Sequence, residues 1–222
     1  MSTHVRQHDS VLAAAEARLL IWIAERLPRR IHSDHLSALG LLAMAGAGAS
    51  FYLTATSPAA GAGLVVLCLA LNWFGDSLDG TVARVRNQQR PRYGYYLDHV
   101  IDLSGTAMLF AGLAASGHMS PTIATLVVAS FFLVAAEAYL ATHARGVFKM
   151  AMAGVGPTEL RLLLAAGAVA LITTPVVHPW PMEPMRLWDL GGLIGAAAMV
   201  GSFLVSSTRN ICALYREERV HR

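Results

Sequence analysis

Six stretches of the chain run almost unbroken in apolar residues: roughly Leu36 to Thr56, Ala60 to Val82, Tyr95 to Ala115, Thr122 to Thr142, Leu160 to Val177 and Leu190 to Ser207. Each is 18 residues or longer, near the length a helix needs to cross a hydrocarbon core of about 30 Å. Turn-like segments separate them: Ser57-Pro58, Gly117 to Pro121, Gly154 to Pro157, and a longer Pro-rich link from His178 to Asp189. The pattern predicts an all-α, polytopic membrane protein with six transmembrane helices. A different pattern precedes them. From Val11 to Leu27, Leu19, Leu20, Trp22, Ile23 and Leu27 alternate with Glu16, Arg18, Glu25 and Arg26, as in an amphipathic helix lying in the membrane interface. Its acidic residues and the Pro28-Arg29-Arg30 that follows argue against a signal peptide. The expected organisation is an N-terminal segment (1–35) with this interfacial helix, a six-helix transmembrane domain (36–208) and a basic tail (209–222), with no internal repeat.

Composition agrees with that layout, since 55% of residues are hydrophobic and only 14% charged. Of the 17 Lys and Arg residues, all but Arg186 fall in the N-terminal segment, around the second-to-third and fourth-to-fifth connections, or in the tail. By the positive-inside rule, both termini and the second-to-third connection face the cytoplasm, and a bacterial inner (plasma) membrane is the expected location. The net charge of +3 is too small to call for a nucleic-acid partner, while the cytoplasmic arginines suit anionic membrane lipids. Cys68 and Cys212 lie in or beside spans and indicate no disulfide framework.

Four carboxylates interrupt the apolar pattern where they are most costly. Asp76 and Asp79 are three residues apart, Asp98 and Asp102 four apart, so each pair lies along one face of its helix. An ionised Asp in a spanning helix costs roughly 2.5 to 3.5 kcal/mol on insertion scales, so four call for a charge partner such as a metal. If the chain reverses in the polar stretch Asn87 to Arg92, Asp79 and Asp98 are nearly equidistant from the turn, as are Asp76 and Asp102. All four then reach one depth and can share an ion. Oxygen-only ligands suit Mg2+, Mn2+ or Ca2+ and not zinc. Gly80 and Gly94 open their helix surfaces to a backbone or a phosphate.

Asp76-x2-Asp79-Gly80-x2-Ala83-Arg84-x9-Gly94-x3-Asp98-x3-Asp102 resembles the signature of the CDP-alcohol phosphotransferase family, with all eight signature positions present. The resemblance implies a six-helix membrane enzyme dependent on a divalent metal, Mg2+ or Mn2+. In it an alcohol hydroxyl attacks the phosphorus of a CDP-linked donor and CMP leaves. By position, Asp76, Asp79 and Asp98 are metal ligands and Asp102 a ligand or the general base. Gly80, Ala83 and Arg84 contact the CDP moiety, with Gly94 grouped with them; Arg84 supplies a guanidinium fork suited to a diphosphate. Arg86, Arg90 and Arg92 read more simply as positive-inside anchors.

His99, beside Asp98 and followed by Asp102 and Ser104, resembles the choline and ethanolamine phosphotransferase branch, where a His at this place is thought to be the base. Asp102 and His99 therefore compete for that role. Near the cytoplasmic ends of the fourth and fifth spans, Glu137, Arg145, Glu159 and Arg161, with Tyr139, Thr142, His143, Lys149 and Thr158, are candidates to line an acceptor pocket. For Thr158 and Glu159, a helix start at Gly156-Pro157 explains them equally well.

The expected partners are a CDP-linked lipid or alcohol donor, an alcohol or diacylglycerol acceptor, and membrane lipids; the resemblance is compatible with a homodimer. The leading reading is CDP-diacylglycerol plus a small polar alcohol, the alternative a CDP-amino alcohol plus diacylglycerol. Leu103 stands where inositol-type enzymes usually carry Arg, which disfavours a phosphorylated acceptor. An ion- or proton-coupled transporter would also hold acids in its membrane helices. Here, however, the acids gather at one membrane face and no inverted repeat is visible.

Overall fold

The computed structural model describes residues 13–145, 156–181 and 183–218. Outside them lie the chain ends, Lys149 and the start of the expected Gly154 to Pro157 connection. Among the described residues, seven helices follow one another: α1 (Ala13–Arg26), α2 (Ser33–Thr54), α3 (Pro58–Val85), α4 (Pro91–Ala115), α5 (Pro121–Arg145), α6 (Pro157–Ala170) and α7 (Leu187–Glu217). A two-residue antiparallel pair, β1 (Val176–Val177) with β2 (Met185–Arg186), precedes α7 in register Val176 to Arg186. Proline stands in the first turn of α3, α4 and α6, where its missing N–H costs nothing and its fixed φ starts the helix. The reversal between α3 and α4 falls at the expected polar stretch, with Asn87 in the left-handed region at φ 55°, a conformation Asn tolerates better than most residues.

Helices α2 to α7 occupy the six expected apolar stretches. Among the described residues, α2, α3, α5 and α7 are long and apolar enough to cross a membrane by length and composition. The two others depart from expectation for separate reasons. In α4 the apolar run is diluted by Arg92, Asp98 and Asp102. The α6 helix has 14 residues and stops at Ala170, short of the expected Val177, because a turn at Leu171 to Thr173 leads into Thr174-Pro175, where proline cannot continue the helical ladder. At the other end, α7 continues past Ser207 to Glu217, so the described part of the expected tail is helix up to that residue.

Small residues bring the backbones together. A Cβ on Gly75 would lie 2.5 Å from the Leu36 carbonyl and 2.8 Å from the Gly40 nitrogen, so α2 and α3 touch main chain to main chain. Gly112 of α4 presses on Gly48 of α2 in the same way. Around these crossings Ala47, Phe51, Val65, Leu69, Leu109, Leu113 and Trp188 form the largest buried apolar cluster, with Phe51 edge-on to Trp188 at 5.2 Å. Because the obstacle at Gly112 is backbone, Gly112→Leu is expected to cost more than the roughly 1 to 3 kcal/mol usual for overpacking. Gly63, where a Cβ would have nothing within 4 Å, should accept Leu without loss. Thermal unfolding of the two variants in detergent checks the contrast; equal stability would contradict the close crossing.

The first helix packs on the same frame. Leu20 and Ala24 of α1 are buried against Leu36, Leu78 and Val82, while Leu19, Ile21 and Trp22 remain exposed. Arg86, just past α3, donates to the carbonyls of Ile31 (2.5 Å), Leu27 (2.8 Å) and Pro28 (3.2 Å). It thereby fixes the link between α1 and α2, a more specific task than anchoring by charge.

Candidate active site

Helical periodicity puts Asp76 on one face of α3 and both Asp98 and Asp102 on one face of α4, and the turn at Asn87 folds the two faces together. One carboxylate oxygen from each of the three lies within 4.8 Å of the others. All three residues are partly buried, so their mutual repulsion is poorly screened. Three converging oxygen donors suit a hard divalent cation. Asp79, one turn along α3, is outside this trio. Its Oδ2 accepts the hydroxyl of buried Ser37 on α2 at 2.6 Å, and its other oxygen accepts the N–H of Gly80.

Other motif residues border open space. Nothing lies within 4 Å of a Cβ placed on Gly94, and at Gly80 only the Arg84 guanidinium comes near, at 3.4 Å. Arg84 is exposed and folds back to donate to Thr81 Oγ1 at 2.9 Å. Ala83 lines a cavity of about 480 Å³ with Ser33, Asp34, Gln88, Gln89 and Arg90, a volume within the usual range for small-molecule sites. Arg90 pairs with Asp34 there and lies 4.2 Å over the Tyr93 ring.

His99 is buried and packs against two tyrosines in tilted ring contacts, its ring centre 4.1 Å from Tyr95 and 4.8 Å from Tyr139 of α5. Its Nδ1 is 3.8 Å from Asp98 Oδ2. The residues expected to line an acceptor pocket divide into two groups. Glu137 accepts Asn210 Nδ2 at 2.6 Å, and Arg145 donates to Asn210 Oδ1 at 2.7 Å and lies 3.8 Å from Glu217, so both tie α5 to α7. Glu159 accepts the Gly156 N–H at 3.1 Å, as a residue in the first turn of a helix does.

Arg161 joins the carboxylate trio directly. It forms an ion pair with Asp76 Oδ2, while its Nε donates to Asn72 Oδ1 at 2.7 Å. Asn72 in turn donates to the Gly40 carbonyl at 3.0 Å. Three contributors escaped the sequence reading: Ser37, Asn72 and Glu16. Glu16 accepts both Trp73 Nε1 at 2.7 Å and Thr158 Oγ1 at 3.2 Å, joining α1, α3 and α6. The available signal was a polar residue in an apolar setting, clearest for Asn72; the partners are distant in sequence.

The model of the CDP-alcohol phosphatidyltransferase family matches residues 33–205, a stretch that holds the trio, Ser37, Asn72, the open glycines and Arg161. The chain belongs to this family. Comparison with curated individual proteins gave no match. Membership makes it an integral membrane transferase of phospholipid biosynthesis, using a CDP-alcohol donor and an alcohol acceptor. CDP-alcohol phosphatidyltransferases are generally dependent on a divalent metal, and the donors gathered here, all carboxylate oxygens, fit such an ion.

Proposed function

We propose that this protein transfers a phosphatidyl group from CDP-diacylglycerol to the hydroxyl of a small polar alcohol and releases CMP. The observation that carries the reading is the convergence of Asp76, Asp98 and Asp102 within 4.8 Å across two helices, beside glycines that leave room for a diphosphate. Asp76 and Asp98 would hold Mg2+ or Mn2+, with Asp79 as a further carboxylate one turn away and Asp102 left beside them to act as the base. The ion supplies neutralisation of the diphosphate charge.

The chain's own groups do the rest. Arg84 offers its fork to phosphate oxygens across the bare surface of Gly80, and Gly94 leaves the facing helix equally open. The cavity at Ala83 takes the nucleoside. Asp102 accepts the proton of the alcohol as its oxygen forms a bond to the phosphorus distal to cytidine, and the bond to the CMP oxygen breaks. Six helices, α2 to α7, form the transmembrane domain, with α1 in the interface. His99 beside Asp98 favours a second reading, CDP-amino alcohol plus diacylglycerol.

Purified protein incubated with radiolabelled CDP-diacylglycerol or CDP-ethanolamine, a panel of acceptors and Mg2+ or Mn2+ separates the readings. CMP formed only with CDP-diacylglycerol and a soluble alcohol is the expected result. CMP from CDP-ethanolamine and diacylglycerol would select the second reading, and no CMP from either donor would remove both.

The reading also requires the site to face the cytoplasm, where soluble nucleotides are. With Cys68 and Cys212 replaced by Ser, a cysteine at Gln88 should react with an impermeant thiol reagent only after cells are opened. One at Trp180, which is 94% exposed between β1 and β2, should react in spheroplasts. The reverse pattern would place the carboxylates on the wrong side for this reaction.

A further inference from the structure

The Asp76 carboxylate that the proposed metal needs is already engaged. Arg161 reaches it from α6, and its side chain is only 14% exposed. The guanidinium is held at two points: on Asp76, and through Nε on Asn72, whose own amide is fixed to the Gly40 carbonyl. At the N-terminal end of the same helix, Thr158 is tied to Glu16 of α1. An arginine held this firmly on one member of a cluster of three carboxylates does electrostatically what a cation would do: it offsets part of their repulsion in a poorly solvated setting.

We infer that Arg161 is a built-in counter-cation for the carboxylate cluster, and that a divalent ion binds by displacing it from Asp76. The two cations compete for the same carboxylate, and each raises the electrostatic cost of the other. This inference rests on the proposed metal site. It adds that metal binding frees a guanidinium fork at the site and loosens one tie between α6 and α3.

Competition has a signature that a structural role lacks. Loss of packing weakens ligand binding, whereas loss of a competitor strengthens it. Mn2+ binding to the detergent-solubilised chain, followed by the loss of the free-ion electron paramagnetic resonance signal, should be tighter in Arg161→Gln by on the order of tenfold. The rise in melting temperature on adding Mg2+ should likewise be larger in R161Q than in the parent chain. Arg216→Gln, which removes the same charge from the last turn of α7, should leave Mn2+ affinity unchanged.

If R161Q cannot be recovered folded, Arg161→Lys serves instead. Lysine keeps the charge but cannot span Asn72 and Asp76 with a rigid fork, so it should tighten Mn2+ binding by a smaller factor, roughly two- to threefold. Equal or weaker Mn2+ binding in the Arg161 variant, with the parent binding normally, would overturn this inference and leave the proposed function standing. Absence of Mn2+ binding in both would overturn the metal site as well.

Discussion

Asp98→Asn is expected to abolish CMP release while leaving membrane insertion and the melting temperature close to the parent's. The substitution keeps the shape of the side chain and removes one of three converging charges. With one anionic donor gone, metal affinity should fall by more than the roughly 10- to 100-fold typical when a group that merely supports a ligand is lost. Because Asp102, the other acid of the trio on α4, is the proposed base, Asn at position 98 leaves that helix no carboxylate to spare for the metal. Asp76→Asn should be equally inactive, although it also strips Arg161 of its ion pair and so lowers stability. CMP assays across a Mg2+ titration check both, and near-normal turnover at saturating Mg2+ would remove the residue concerned from the metal site.

The second large effect concerns the base. Asp102→Asn should lower turnover on the order of 10²- to 10⁴-fold, the range associated with general acid–base catalysis, while CDP-donor binding persists. His99→Ala should cost under about tenfold, well below that range. The reason is position. His99 is packed against Tyr95 and Tyr139, a setting that braces α4 against α5 and leaves the ring little freedom to meet an acceptor. Asp102 belongs to the converging trio itself. Turnover and nucleotide affinity measured on both variants decide the matter. An inactive H99A that still binds the CDP donor, beside an active D102N, would reverse the assignment and favour the amino-alcohol reading.

Much of this site is legible in the sequence because it is built from local periodicity. The i,i+4 spacing of Asp98 and Asp102 and the polar turn at Asn87 suffice to bring Asp76 opposite them, and hydropathy locates the helices that carry them. What escapes is tertiary. Arg161 and Asp76 are 85 residues apart, Ser37 and Asp79 are 42 apart, and no helical period links such pairs. Asp79 illustrates the difference: spacing puts it with the other acids, yet a hydroxyl on α2 engages its carboxylate. The apolar setting of Glu137 calls for a polar partner inside the bundle, but periodicity cannot say that Asn210 of α7 supplies it. The expected fifth span is too long because Ile172, Val176 and Val177 keep the hydropathy high beyond the point where Thr174-Pro175 ends the helix.

The Glu16 carboxylate, which receives Trp73 of α3 and Thr158 of α6, acts mechanically as a height gauge. Arg86 locks the C-terminal end of α1 to the end of α3 as well, so the first helix cannot rise or sink without carrying the carboxylates along. On the proposed interfacial placement of α1, exposed Leu19, Ile21 and Trp22 would rest among the headgroups, and the footing of α1 on the lipid surface would set the depth of the reacting phosphorus. A membrane of different thickness would then tilt or compress the outer ends of the long helices and leave the working plane of the enzyme level with its substrates.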